Sequence, residues 1–427
     1  MNKKVLIISP YFPPSNAADM QRVRISLPYF KDFGWEAEVV MVDEKYSEMV
    51  RDELLAQSVP TDIRVHRVKA FNKSWTSKIG WGSIALRSLW FYRQKVNALL
   101  KTEKYDLVYF STTQFPVCVL GAYWKRRFNI PYVIDMQDPW HSDYYLDKPK
   151  EQQPPKYWFS YRLNKYLESI AMKKAGGLIS VSGNYIAVLK TRYPEISDIP
   201  GATITFGAFE PDVKIAADNQ GLFTSLLRAG FKNIVYVGRG GADMHRAIRP
   251  VFKALKKGLQ EQPVLFSKLK FHFIGTSYAP KGEGKPSIVP LAFNHGVENN
   301  VVEITDRISY YHALATLQQA DALFIPGSDD PQYTASKIYP YLLTQKPSLA
   351  IFNENSNAVE ILRACTENGA VLTFGKTGSN LDDALYQLLD QWANGIFNPI
   401  KLLKGFEDYS AKNLTGKQVE LFNQVVK

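Results

Sequence analysis

The sequence is short of the residues that build most metal and cross-linked sites. Cysteine occurs only at Cys118 and Cys365, which excludes a disulfide framework. Both lie in apolar patterns, where a free thiol packs as a small hydrophobe, in keeping with a reducing compartment. Six histidines show no His-x-His or His-Glu-x-x-His spacing, so no metal is expected and the chain reads as metal-independent. No apolar run approaches the ~18 residues of a spanning helix. The first run, residues 5–8, is stopped at Pro10, too short for a signal-peptide core. Zinc-finger, RNA-recognition and helix-turn-helix patterns are also missing, which sets nucleic acid aside as a partner. These absences point to a cytoplasmic chain without a resident cofactor.

Positive charge is in excess: 52 Lys and Arg against 41 Asp and Glu leave a net +11. An excess of this kind suits a phosphorylated substrate or anionic lipid. The aromatic share is high, at 13%. Residues 69–101 hold Trp75, Trp81, Trp90, Phe91 and Tyr92 among Lys73, Lys78, Arg87, Arg93, Lys95 and Lys101, and no acid follows until Glu103. That stretch reads either as a surface for an anionic membrane or as an amphipathic helix with an aromatic core face.

Length suits two domains. Strands are predicted at residues 5–8, 38–42, 63–68, 106–110, 132–136 and 178–181, with helical patterns at 19–33, 116–127, 161–175 and 184–193. In the first helix Met20, Val23, Leu27 and Phe30 share a face, Gly34 closes it, and Pro28 is placed to kink it. A second series has strands at 233–238, 270–274, 301–304, 322–325, 348–352 and 371–374, with helices at 247–260, 310–319 and 381–392. This alternation implies an α/β fold with parallel sheets covered on both faces. The tail, 406–426, is amphipathic.

Four segments carry chemistry. In residues 321–352, DALFIPGSDDPQYTASKIYPYLLTQKPSLAIF, a strand, loop, helix and strand succeed one another. Ser336 is placed to cap the helix and Lys337 adds a cation, so an anion such as phosphate would be held there. Asp329 and Asp330 either hydrogen-bond sugar hydroxyls or shape the turn before Pro331. In residues 234–252, IVYVGRGGADMHRAIRPVF, Gly238, Gly240 and Gly241 let backbone amides approach a ligand, and Arg239 with His245 or Arg246 adds charge. The spacing is Gly-x-Gly-Gly, not the dinucleotide fingerprint. At a strand end in residues 133–145, Asp135, Gln137, Asp138, His141 and Asp143 gather with Trp140, and Asp138 or His141 is a candidate to orient or deprotonate a hydroxyl. After the first strand, Asn16, Gln21 and Arg22 either reach a ligand or face solvent.

SKIYPYLLTQKPSLA resembles the donor-binding helix of retaining GT-B glycosyltransferases, especially family 4, where Ser-Lys-Leu-Tyr-Glu-Tyr-Leu is followed by a turn, Lys-Pro and a strand. ATITFGAFEPD, residues 202–212, resembles the interdomain turn of those enzymes, and Asp138-Pro139-Trp140 resembles their Asp-Leu-Trp-Pro motif. The resemblance implies two Rossmann-like, doubly wound domains facing a central cleft. An acceptor-side domain would span 1–210, a nucleotide-sugar domain 211–400, and a helix within 401–427 would cross back to the first. It also implies a hexosyltransferase acting on a nucleotide-diphosphate sugar by front-face attack with retention. The acceptor would be a glycan or a lipid-linked sugar, at the inner face of the cytoplasmic membrane, in bacterial envelope or capsular glycan assembly. Gly238, Arg239, Gly240, Gly241, Arg246, Ser336 and Lys337 would bind the donor diphosphate. This chain departs from the pattern in having Gln332 and Pro340 where the family has two glutamates, and Asn16-Ala17-Ala18 where it has a glycine pair. Those departures keep two other readings open: a nucleotide-sugar 2-epimerase-like enzyme, and a non-catalytic glycan- or partner-binding protein.

Overall fold

A computed structural model describes residues 2–141, 143, 146, 148–153, 157–330, 338–375 and 381–427. The chain divides into two compact units: Met1–Gly207 with Ser410–Lys427, and Ala208–Tyr409.

The first unit holds seven parallel strands. They are β1 (Lys3–Ile8), β2 (Trp35–Val42), β3 (Arg64–Val68), β4 (Leu107–Ser111), β5 (Tyr132–Met136), β6 (Gly177–Ser180) and β7 (Gly201–Thr203), in the order β3-β2-β1-β4-β5-β6-β7. Successive side chains point to opposite faces of a strand. Leu6, Ile8, Val108 and Phe110 therefore enter one core, while Val5, Ile7, Leu107 and Tyr109 enter a second. Burial on both faces accounts for the unbroken apolar runs seen in the sequence. The last helix, Ala411–Val425, covers the second face, where the Phe422 ring meets Trp35 at 5.5 Å and Tyr109 at 5.0 Å. A Cβ on Gly176 or Gly177 would come within 2.8 Å of Val425, so glycine lets this helix seat against β6.

The 19–33 pattern is not one α-helix. It runs α over Gln21–Ser26, tightens to a 3₁₀ helix over Leu27–Phe33, and closes at Gly34 with φ 75°. Pro28 has no N–H to give to residue 24, which favours the change of hydrogen bonding at that point. The aromatic and basic stretch forms a long helix, Ile84–Thr102, capped by the Ser83 hydroxyl.

The second unit has β8 (Lys232–Val237), β9 (Leu269–Ile274), β10 (Val301–Ile304), β11 (Ala322–Pro326) and β12 (Ser348–Asn353). A short antiparallel pair, β13 (Thr366–Glu367) with β15 (Lys401–Leu402), flanks β14 (Ala370–Phe374). The main sheet is parallel, in the order β10-β9-β8-β11-β12-β14. Its core draws on Val235, Phe271, Phe273, Phe324 and Ile351. Ile248, Val251, Phe252 and Leu255, on one face of the His245–Glu261 helix, pack into it.

In each unit the chain starts in mid-sheet, at β1 or β8, and the order then reverses beyond β4 or β11. Each sheet therefore has a switch point, between β1 and β4 and between β8 and β11, the place where open α/β sheets bind ligands.

Candidate functional site

In the second unit the ladder at the switch point is short. β8 and β11 pair only at Ala322 with Ile234 and Leu323 with Val235. Beyond that, the Tyr341 hydroxyl takes the place of a strand: it accepts from the Val237 N–H at 2.7 Å and donates to the Val237 carbonyl at 2.9 Å. The loops after the two strands are tied together through Asp243. Ser328 donates its hydroxyl to the Asp243 carboxylate at 2.7 Å, and the Asp329 N–H donates to the Asp243 carbonyl at 2.8 Å. Arg239 forks onto the same carboxylate, with Nη1 3.0 Å from Oδ1 and Nη2 on Oδ2. That guanidinium holds the Asp243 carboxyl below the usual carboxylate range. The pair is half-exposed, at 28% and 34%.

Several candidates meet here. Arg239 stands in the loop itself, and Asp329 and Asp330 lie exposed at its rim. Arg246 is exposed, 5.0 Å from the Phe374 ring centre. His245 keeps a buried Nε2 with no hydrogen-bond partner among the described residues. The glycines need a correction. Gly238 and Gly240 do not offer their amides to a ligand, because these donate to the carbonyls of Ile274 and Thr276 at 2.9 and 2.8 Å. A Cβ on Gly238 would stand 2.4 Å from the Tyr236 hydroxyl, and one on Gly240 2.8 Å from the Ser287 hydroxyl, so both are glycine for packing. Gly241 is half-buried beside the Arg239–Asp243 pair. Ser336 and Lys337 lie outside the described residues.

The switch point of the first unit is filled. Arg22 is 2% exposed. Its Nε donates to Asp135 at 2.6 Å, and its Nη atoms donate to the carbonyls of Ile204 and Thr205 at 2.7 and 3.1 Å. The same Asp135 oxygen accepts from Ser111 at 2.8 Å and Gln137 at 3.0 Å. Arg22 is therefore a strut between the first helix, β5 and the end of β7, and the expectation that it reaches a ligand or solvent is corrected. Gln21 is held by Arg24, whose Nε donates to its Oε1 at 2.9 Å. Asn16 is half-buried, and its N–H donates to the Val50 carbonyl at 2.8 Å.

Sequence reasoning missed Asp19. It is 3% exposed and accepts from the Thr112 hydroxyl at 2.8 Å, the Thr113 N–H at 2.9 Å and the Thr113 hydroxyl at 3.2 Å. Burial raises its carboxyl pKa despite these donors. Asp138 stands exposed beyond β5, and its carboxyl is raised by partial burial and by the Asp19 charge. Asp19 is thus a buried acid held by the Thr112–Thr113 turn, and Asp138 an exposed one beyond the end of β5. The only sequence signal for Asp19 was an acid between small residues and the first helix.

His141 belongs to a different cluster. Its Nδ1 lies 3.1 Å from Glu168, which also accepts from Arg192 at 2.8 Å and Tyr193 at 2.9 Å. With side-chain exposures of 2% and 1%, His141 and Glu168 form a buried pair beside a cavity of about 180 Å³ lined by Trp140, Asn184 and Tyr185. His141 is buried with its Nδ1 turned toward Glu168 and Arg192, whereas Asp138 is exposed, so Asp138 is the accessible member of the motif.

Two parallel, doubly wound Rossmann-like units with a returning terminal helix make this a GT-B fold. No known family model and no curated protein matches the chain. Solved structures share the fold over its whole length. The N-terminal domain of Candida albicans trehalose-6-phosphate phosphatase is 12% identical, with 99% of this chain and 97% of that one covered and a TM-score of 0.58. A UDP-forming alpha,alpha-trehalose-phosphate synthase from Burkholderia xenovorans, in complex with glucose-6-phosphate, is 10% identical, with 98% and 100% covered and a TM-score of 0.54. A point mutant of S. aureus TarM, in complex with Fondaparinux, alpha-GlcNAc-glycerol and UDP, is 12% identical, with 99% and 100% covered and a TM-score of 0.52. At such identities the likeness is one of fold.

Proposed function

We propose that this chain is a glycosyltransferase of the retaining, family 4-like kind, which takes a hexose from a nucleotide-diphosphate sugar without a metal. The observation that carries the reading is the short β8–β11 ladder at the switch point, with Arg239 poised over it in a half-exposed ion pair. A diphosphate entering there replaces one Asp243 carboxylate with a doubly charged group on the same guanidinium. Arg246 and, outside the described residues, Ser336 and Lys337 complete the diphosphate site. Asp329 and Asp330 take sugar hydroxyls. In the first unit, Asp138 with Asp19 behind it positions the acceptor hydroxyl. The acceptor is a lipid-linked sugar or growing polysaccharide, and the setting is envelope or capsular glycan assembly on the inner face of the cytoplasmic membrane.

Calorimetric titration with UDP and GDP tests the donor site. One of them binds saturably, and Arg239→Ala weakens that binding by roughly 1.5–3 kcal/mol, the scale of a charge-assisted hydrogen bond. Equal affinity in the variant removes Arg239 from the site. A second reading, a non-catalytic glycan-binding relative, is favoured by one observation: the Gly238 and Gly240 amides are already engaged by the carbonyls of Ile274 and Thr276. It requires glycan binding without nucleotide binding.

A further inference from the structure

Half of the chain's eight tryptophans are 50% or more exposed, and all four lie on the first unit: Trp75 at 51%, Trp81 and Trp90 at 50%, and Trp158 at 65%. A soluble surface rarely leaves such rings in water without a use for them. Two of them share a cluster with Phe71, and the other two lie at a second contact, at Gly80, nearby in sequence. Phe71 stands 5.8 Å from Trp75 and 6.4 Å from Trp90 between ring centres. Phe159, next to Trp158, rests on Gly80, where a Cβ would lie 3.3 Å from its ring, and Gly80 adjoins Trp81. The Tyr157–Met172 helix thus brings its first turn to Gly80, just before the Ile84–Thr102 helix, although the two are far apart in sequence.

The charge on this face is mainly positive, with Glu48 paired to Lys73. From residue 69 to residue 102 there is no acidic side chain. Lys69, Lys78 and Arg93 are exposed, and Arg162 stands 5.8 Å from the Trp158 ring centre. Arg87, counted by sequence among these cations, is 4% exposed and donates to the carbonyls of Phe71 and Tyr46, so it braces the patch from within. Among the described residues no helix is long and apolar enough to cross a membrane, so any lipid contact of theirs is not by a spanning helix.

We propose that this face docks the chain on an anionic bilayer surface. Indole rings are apolar bodies with one polar N–H, which suits the headgroup boundary, and cations beside them meet lipid phosphates. A second copy of the chain would bring two predominantly basic faces together, which charge opposes. The inference stands whether or not the glycosyltransferase reading does.

The test is co-sedimentation of the full chain with vesicles of phosphatidylcholine alone or mixed with phosphatidylglycerol. The mixed vesicles retain the chain, 0.5 M salt releases it, and tryptophan emission shifts to the blue on binding. Trp75→Ser with Trp90→Ser abolishes retention. Lys69→Glu with Lys78→Glu, at exposed sites that do not carry the core, weakens it about tenfold or more, since each basic residue contributes appreciably near such a surface. Equal retention by both kinds of vesicle overturns the proposal. So does unchanged retention in the charge variant, or a salt-resistant dimer of the wild type that the tryptophan variant disperses.

Discussion

The two units end their first strands at the same topological place and treat it in opposite ways. Beyond β1, an arginine and an aspartate are sealed in, Arg22 at 2% and Asp135 at 0% side-chain exposure. Beyond β8, an arginine and an aspartate lie at the rim, Arg239 at 28% and Asp243 at 34%. A sealed pair cannot exchange partners, because parting it leaves a charge in a dry interior. A rim pair is worth little and can give its cation to a better anion. The end of the first strand thus leads to a buried brace in one unit and to a half-exposed cation in the other.

Breaking each pair gives the largest contrast. Arg22→Met leaves Asp135 buried and uncompensated and should cost about 3–5 kcal/mol of stability. Arg239→Ala should cost under ~1 kcal/mol. Urea unfolding of both variants measures the gap, and similar losses would erase the distinction.

Acid sharpens the contrast at the opposite ends of the sheets. In the second unit, burial and then the neighbouring Arg228 and Lys270 lower His272 from 6.5 to about 4, so the fold keeps it neutral. The unfolded chain takes up that proton first, and stability present above pH 6.5 drains away as pH falls toward 4, up to about 3 kcal/mol at ~1.4 per unit. In the first unit burial works against the Glu38 charge, but bonds from His66, Lys4 and Tyr105 outweigh it and lower Glu38 from 4.5 to about 2. Its contribution is intact above 4.5 and is lost only as pH falls through 2. Hydrogen exchange at pH 5 should therefore loosen β9 before β2. His272→Asn, which removes the titrating group, should flatten the response of the second unit between pH 6.5 and 4.

Tyr341→Phe tests whether the short β8–β11 ladder depends on one hydroxyl. The Val237 N–H and carbonyl both lose a partner, and about 1–3 kcal/mol is expected, read as a lowered urea midpoint. No change would mean that β8 and β11 can close up on each other. The smallest effect on stability belongs to Asp138→Asn at its exposed site. Its effect falls on turnover more than on donor affinity. The acid limb of the wild-type rate profile should lie above that of an ordinary aspartate, because burial and Asp19 raise the Asp138 carboxyl.

Much of the fold was legible in the sequence because its periodicity is local. Residues 132–136, 301–304 and 310–319 were bounded to the residue, since apolar runs between turn-forming residues need no distant information. The site was less legible, because burial at a strand end is decided by residues far away. Arg22 reads as a surface cation until Asp135, 113 positions on, is brought beside it. Asp19 reads as a helix-start acid until Thr112, 93 positions on, donates to it. Gly238 and Gly240 read as a ligand loop, whereas Ile274 at the end of the next strand and Thr276 just beyond it take their amides. The convergence expected of Arg239 and Lys337 falls partly outside the described residues, while the loops after β8 and β11 do meet through Asp243.

Transfer is the most direct test. The chain is incubated with UDP- and GDP-hexoses, with and without a lipid-linked or oligosaccharide acceptor, and nucleotide release and product configuration are followed by NMR. The expected result is release of the nucleoside diphosphate that depends on the acceptor, with the donor's anomeric configuration kept in the product. Release of nucleoside diphosphate without an acceptor, or no turnover of any nucleotide sugar, would contradict the account.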